Sequence, residues 1–341
     1  MTDVTSLAEQ DLVVRLQRGD QRACARLMSW AERNDPRFGV QHRAFCGELG
    51  VAQRIGITGP PGAGKSTLVE GLAFHWRELD DRKVGVVAVD PTSPFTGGAL
   101  LGDRVRMSRL VLDPGVFIRS MATRGVFGGL ARATDDLADV LDLFGCHSIM
   151  VETVGVGQSE VDIARSCDLT LVVLHPGGGD TIQAMKAGLM EVADIYVVNK
   201  ADMPGVDRLE QELFDVLDLR DISEDQRPPI LTAVASTGQG VPELAEAIDT
   251  MVLDRRDSGR QAERRQNNLE RRIRRLVDGR LRHEVWQTRG LSDLLHQRLA
   301  EGGKLSAYEL ADEVLDQYQQ AVGHPDSVLS DISQTDPEGS P

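Results

Sequence analysis

Between residues 51 and 253, short runs dominated by Val, Ile and Leu alternate with segments of helical periodicity. The runs at 54–58, 84–89, 116–119, 148–152, 170–174, 195–199 and 230–234 read as strands buried on both sides. Helices are predicted to start near 65, 127, 180 and 241. This alternation gives an α/β fold whose mostly parallel sheet is covered by helices on both faces.

The flanks read differently. In residues 1–50, Leu12, Val13, Leu16, Leu27, Met28 and Trp30 recur near helical spacing, with breaks at Gly19-Asp20 and Asn34-Asp35-Pro36. This predicts a helical N-terminal extension. Beyond 254 the chain is dense in Arg up to Arg282, and Leu269, Ile273, Leu276 and Leu281 form an apolar stripe at helical spacing. The charge run reads as a solvated helix face, and the stripe as a surface for helix–helix docking between subunits. Further helices are predicted over 291–300 and 306–321. The organisation is therefore 1–50 extension, 51–253 central domain, 254–324 helical dimerisation arm and 325–341 disordered tail, the last rich in Asp, Ser, Pro and Gly.

Chemistry enters at the end of the first strand. Gly59-Pro60-Pro61-Gly62-Ala63-Gly64-Lys65-Ser66 fits G-x-x-x-x-G-K-[ST], and Thr67 leads into a helix. Glycines let such a loop curl its N–H groups toward phosphate oxygens, the helix N-terminus adds its positive end, Lys65 reaches the β- and γ-phosphates, and Ser66 offers a hydroxyl to Mg²⁺. The central domain is predicted to be a P-loop nucleotide-binding domain.

A second motif names the base. The run 195–198 leads into Asn199-Lys200-Ala201-Asp202. The Asp202 carboxylate accepts from both N1–H and the 2-amino group of guanine, whereas adenine would leave it unpaired at a cost of a few kcal/mol. Asn199 is expected to hold the purine edge and neighbouring loops, and the Lys200 stem to lie along the base. Further on, Val234-Ala235-Ser236 stands where many GTPases carry Ser-Ala-x, with the Ala235 N–H meeting guanine O6. The nucleotide predicted is GTP, with GDP as product. Two acids at strand tips, Asp90 and Glu152, are placed to reach Mg²⁺ or its waters. The Gly155 N–H could meet the γ-phosphate and so register hydrolysis.

Composition narrows the partners. A net charge of −15 argues against a nucleic-acid protein. The four cysteines, Cys24, Cys46, Cys146 and Cys167, are scattered and fit free thiols in a reducing compartment. The N-terminus lacks a signal-peptide pattern and no run approaches a membrane span, so a soluble cytoplasmic protein is expected. Lys supplies only five of the 38 basic residues.

Taken together, GPPGAGKST, VDPTSPFTGGALLGDRVRM, VETVGVGQSE, GGGDTIQAMKAGLMEVADI and VVNKAD resemble the MeaB/ArgK/MMAA GTPases from about residue 7 to 320. The resemblance implies a homodimeric chaperone of an adenosylcobalamin-dependent acyl-CoA mutase, typically methylmalonyl-CoA mutase, in which GTP hydrolysis gates cofactor loading. It implies a third switch with Asp180 and Lys186 at its functional positions, and a metal or switch role for Asp103 beside Arg106. It also implies a cobalamin adenosyltransferase as a further partner, with no tightly bound cobalamin on this chain alone. The Val234-Ala235-Ser236 element departs from the family pattern. Two other readings are a nickel- or cobalt-inserting GTPase of the same class, against which the dispersed His residues count, and a transport-protein kinase of the ArgK type.

Overall fold

The structure, a computed structural model, describes residues 12–90, 112–122, 129–153, 165–177, 189–219, 227–302 and 306–322, with Met107, Leu110 and Val161. It comprises two compact units, Met1–Glu270 and Arg271–Pro341.

The first unit opens on helix α1 (12–17), after which Gly19 turns the chain at φ 82°. Asp20 then caps α2 (Gln21–Glu32) by accepting from the Arg22 and Ala23 N–H groups at 2.8 and 3.2 Å. Asp35 caps α3 (Pro36–Phe45) in the same way, accepting from the Arg37 N–H at 3.0 Å ahead of a helix that begins with Pro. The polar breaks in the N-terminal pattern are these caps. Leu12, Leu16, Leu27, Met28, Phe38 and Phe45 are all buried in a core shared with the central sheet.

That sheet contains β1 (Gln53–Thr58), β2 (Val84–Asp90), β3 (Val116–Ala122), β4 (Ser148–Glu152), β5 (Leu169–Leu174), β6 (Ile195–Asn199) and β7 (Ile230–Ala233). Their order is β3-β2-β4-β1-β5-β6-β7 and every pairing is parallel. On one face, Ile55, Ile57, Val84 and Val86 pack with α4 (Lys65–Asp80) and α7 (Val241–Asp257). On the other, Val87, Val89, Ile149 and Val151 pack with α5 (Gly129–Leu143) and the N-terminal helices. Helix α6 (Val206–Asp218) covers Val172, Leu174, Tyr196 and Val198. The expected fold class holds, with all seven predicted strands in place. The helix predicted near 127 begins at Gly129. Helix α6 was not anticipated, and the helix predicted near 180 and the tail 325–341 lie outside the described residues.

Helix α8 (Arg260–His283) follows α7 after Gly259, at φ 76°. The Arg-dense run is not purely a solvated face, because three of its members dock at the strand entrances. Arg255 bonds Asp194 at 2.5 Å, and Arg264 bonds the same carboxylate at 3.1 Å. Arg265 bonds Asp168 at 2.6 Å and donates to the Gly50 and Ala52 carbonyls. Asp168 also accepts the Arg54 N–H at 2.9 Å, and Asp194 the Thr170 N–H at 2.7 Å. Each acid therefore ties the entrance of β1 or β5 to the Arg-dense run. Arg54 itself bonds Asp139 at 2.7 Å, which His42 of α3 meets at 2.7 Å. Burial opposes the Arg54 charge, yet Asp139, Asp142 and Asp168 together push its pKa above the ordinary value. Residues 254–270 thus belong with the first unit.

In the second unit, α8 runs into a π-turn at Glu284–Thr288, then α9 (Leu291–Glu301) and α10 (Ala307–Val322). Leu291 and Val314 are buried, and Arg298 of α9 pairs with Glu313 of α10 at 2.6 Å. No helix among the described residues is long and apolar enough to cross a membrane.

Candidate nucleotide-binding site

The P-loop closes the C-terminal end of β1, at the centre of the sheet, where β4 and β5 flank it. Its curl depends on backbone that only Gly adopts readily: φ is 140° at Gly59 and 88° at Gly64. A Cβ on Gly59 would strike the Val173 carbonyl of β5, and one on Gly64 would strike the Asn199 amide. The loop is thus pressed against its neighbours at both ends, and α4 starts immediately at Lys65 with its N-terminus facing the loop.

Lys65 is buried, and its Nζ donates to the Gly59 and Pro60 carbonyls at 2.7 and 3.0 Å. Two of its three N–H donors hold the ammonium over the loop. The Ser66 hydroxyl donates to Glu152 Oε1 at 2.5 Å. Glu152 is the last residue of β4 and is buried, so the motif's hydroxyl and the strand-tip acid share one point in space. Both supply oxygen donors, the chemistry Mg²⁺ prefers. Asp90 ends β2, one strand beyond β4. Asp103, Gly155, Asp180 and Lys186 lie outside the described residues.

Asn199 ends β6 and is buried. Its Nδ2 donates to the Ala63 carbonyl of the P-loop at 2.7 Å, and its Oδ1 accepts the Ala235 N–H at 3.1 Å. One amide therefore joins the phosphate loop to the loop after β7. Lys200 follows in the left-handed region, φ 57°, and Asp202 is exposed beyond it. The Ala201 N–H donates to the Ala233 carbonyl at 3.0 Å, fixing the two loops to each other.

The Ala235 N–H, expected on guanine O6, is engaged by Asn199 in this structure. Val234, standing where a bracing Ser is usual, is buried, and Thr237 braces instead: its hydroxyl donates to the Val234 carbonyl at 3.1 Å. Ser236 is exposed at the turn of this loop. A Cβ on Gly240 would meet the Thr232 carbonyl, so the return of the loop also needs Gly.

Two residues at this end escaped sequence reasoning. Thr58, last in β1, is fully buried and its hydroxyl has no partner among the described residues. His175, first after β5, faces the Pro176 carbonyl through Nδ1 at 2.9 Å. A polar residue at the exit of an apolar strand beside the P-loop strand is the signal that would have found His175. Cys24, Cys146 and Cys167 are buried and Cys46 is exposed. Burial pushes the Cys146 and Cys167 thiols up to about 12. Among the described residues, no group of three or more His, Cys, Asp or Glu is arranged to hold a metal ion.

A family model described as methylmalonyl Co-A mutase-associated GTPase MeaB matches residues 24–290. A putative GTPase of Pyrococcus horikoshii is 46% identical over 310 residues, spanning 90% of this chain and 97% of the relative. GTPase ArgK of Escherichia coli is 36% identical over 283 residues, 79% of this chain and 83% of the relative. The mitochondrial methylmalonic aciduria type A homolog of Mus musculus is 38% identical over 217 residues, 62% of this chain and 52% of the relative. A crystal structure described as LAO/AO transport system kinase superposes with a TM-score of 0.70 at 26% identity, covering 93% of this chain and 100% of the other.

Proposed function

Because the chain belongs to the MeaB family of methylmalonyl-CoA mutase-associated GTPases, we propose that it is a GTP-hydrolysing chaperone of an adenosylcobalamin-dependent acyl-CoA mutase. It gates cofactor loading onto that enzyme and protects or reactivates it. The client is methylmalonyl-CoA mutase or a close relative.

The observation that carries the nucleotide reading is the double contact of Asn199, which makes the phosphate loop and the base loop one hydrogen-bonded unit. Asp202 reads the guanine edge, with Lys200 along the base. The oxygen pair of Ser66 and Glu152 fits Mg²⁺, and Asp90 and Asp103 are the further acids that would serve it. An ion held by these oxygens would supply charge neutralisation for phosphoryl transfer. Lys65 is the residue that would meet the β- and γ-phosphates. Gly155, Asp180 and Lys186 act as switch positions that respond to the γ-phosphate and report to the mutase. Turnover is slow until the partner completes the site.

The client assignment is supported by the family's description. Partners are the mutase, a second copy of this chain and an adenosyltransferase that delivers the cofactor. The protein acts in the cytoplasm, away from nucleic acid and membrane, and holds no cobalamin tightly by itself. The description of the similar crystal structure favours a second reading, transfer of the γ-phosphate to a transport protein.

Transfer of adenosylcobalamin onto cofactor-free methylmalonyl-CoA mutase, followed by absorbance, tests the gating. Loading should differ between the GTP-bound chain and the chain held with a non-hydrolysable analogue, and Ser66→Ala should abolish the difference. Identical loading in every nucleotide state, and in the absence of the chain, would overturn the proposal.

A further inference from the structure

The loop that leaves β7 is closed on itself by hydrogen bonds, and it leaves one donor open. The Val234 N–H donates to the Gln239 carbonyl at 2.9 Å, and the Val234 carbonyl accepts the Thr237 and Gly238 N–H groups, both at 3.0 Å. The bond from Thr237 makes Ala235 and Ser236 the central residues of a tight turn, which uses neither of their N–H groups. Asn199 Oδ1 takes the Ala235 N–H at 3.1 Å. The Ser236 N–H bonds no group among the described residues, and Ser236 is exposed.

The Thr237 side chain staples this arrangement. Its hydroxyl donates to the Val234 carbonyl at 3.1 Å, the same oxygen that its own N–H meets, and the Gln239 N–H donates to the hydroxyl at 3.5 Å. It therefore joins the first residue of the turn to the limb that returns toward α7. Two further bonds, from Ala235 to Asn199 and from Ala201 to Ala233, fix the turn against the loop that carries Asp202.

Guanine carries a carbonyl at position 6, next to the N1–H and 2-amino donors that Asp202 would accept. A backbone N–H complements that carbonyl, whereas adenine sets an amino group there, donor against donor. We propose that the Ser236 N–H, rather than that of Ala235, meets the 6-carbonyl of guanine, and that Thr237 is the positioning residue that aims it. This rests on the guanine reading proposed above and adds a second determinant beside Asp202.

Calorimetry on the full chain tests this, with 6-thioguanosine triphosphate and inosine triphosphate measured beside GTP and ATP. The thio analogue exchanges the 6-oxygen for a weaker acceptor, and inosine lacks only the 2-amino group. The parent should bind GTP about three- to tenfold more tightly than the thio analogue, the worth of one ordinary hydrogen bond. Thr237→Val keeps the shape of the side chain without its hydroxyl and should bring that ratio close to one. The ratio of GTP to inosine triphosphate, which reports Asp202, should stay at the parent's value. Thr237→Ser should keep both ratios. A purely structural role would weaken every nucleotide together and leave both ratios alone in Thr237→Val, and that result would overturn the assignment to Thr237. A parent that binds the thio analogue as tightly as GTP would overturn the assignment to Ser236 on its own, even where a variant fails to fold. A parent that binds ATP as well as GTP would remove the guanine reading itself.

Discussion

Asp202 is exposed at the rim of the site, three residues past the buried Asn199 that fixes its loop. Asn199 is bonded to two other loops and cannot be changed without disturbing them, whereas the role proposed for Asp202 is toward the base alone. Asp202→Asn should therefore weaken GTP binding about ten- to hundredfold, the worth of about 1.5–3 kcal/mol for hydrogen bonds to a charged acceptor. It should improve xanthosine triphosphate, whose base offers a carbonyl where guanine offers an amino group. Calorimetry with both nucleotides checks this, and unchanged GTP affinity would contradict it. The residues of this site were legible where chemistry constrains them locally, as in the run from Gly59 to Ser66. Its contacts across the chain were less so. Ser66 meets Glu152 from 86 positions away, and only their separate motifs hinted that they share a point. Thr58 carried no motif at all.

Elements were most legible where burial is complete. β4, β5 and β6 are buried at every position, which leaves predominantly apolar runs in the sequence, broken inside a strand only at Thr170. Helix α6 buries only Leu209, Leu213 and Leu217 among charged neighbours, a weaker signature that was passed over. The docked arginines of the 255–265 stretch were misread because their partners, Asp168 and Asp194, sit alone in front of β5 and β6. A lone acid before an apolar strand gives no hint of which Arg will reach it. Helix caps, by contrast, are written locally, and one of them titrates. The Arg37 side chain, and then its N–H, hold the Asp35 carboxyl at about 2, below the ordinary 3.8. A depressed folded-state pKa adds stability that is full above the ordinary value and fades as pH falls toward the folded one. Asp35→Asn keeps a capping acceptor but cannot titrate. The thermal-midpoint gap between parent and variant should therefore be widest above about pH 5 and close by about pH 2. A gap independent of pH would show that the charge on this cap does not matter.

At the scale of the molecule, the two ends of the sheet do different work. The C-terminal ends of the strands gather the P-loop, Glu152 and Asn199, while their entrances are tied to the Arg-dense run through Asp168 and Asp194. The overall architecture was legible because alternation of strand and helix admits few arrangements. The subunit docking read from the stripe of the arm remains an expectation of the sequence, since an exposed apolar stripe marks a contact without naming its partner. The central claim is that GTP is hydrolysed in water under the control of a mutase. Its most direct test follows the γ-phosphate of labelled GTP with and without methylmalonyl-CoA mutase, for the parent, Asp180→Ala and Lys186→Ala. The account predicts label in free phosphate, a turnover raised by the mutase, and loss of most of that increase in both variants with GTP affinity within a few-fold of the parent. Label transferred to protein, or a turnover indifferent to the mutase, would contradict it.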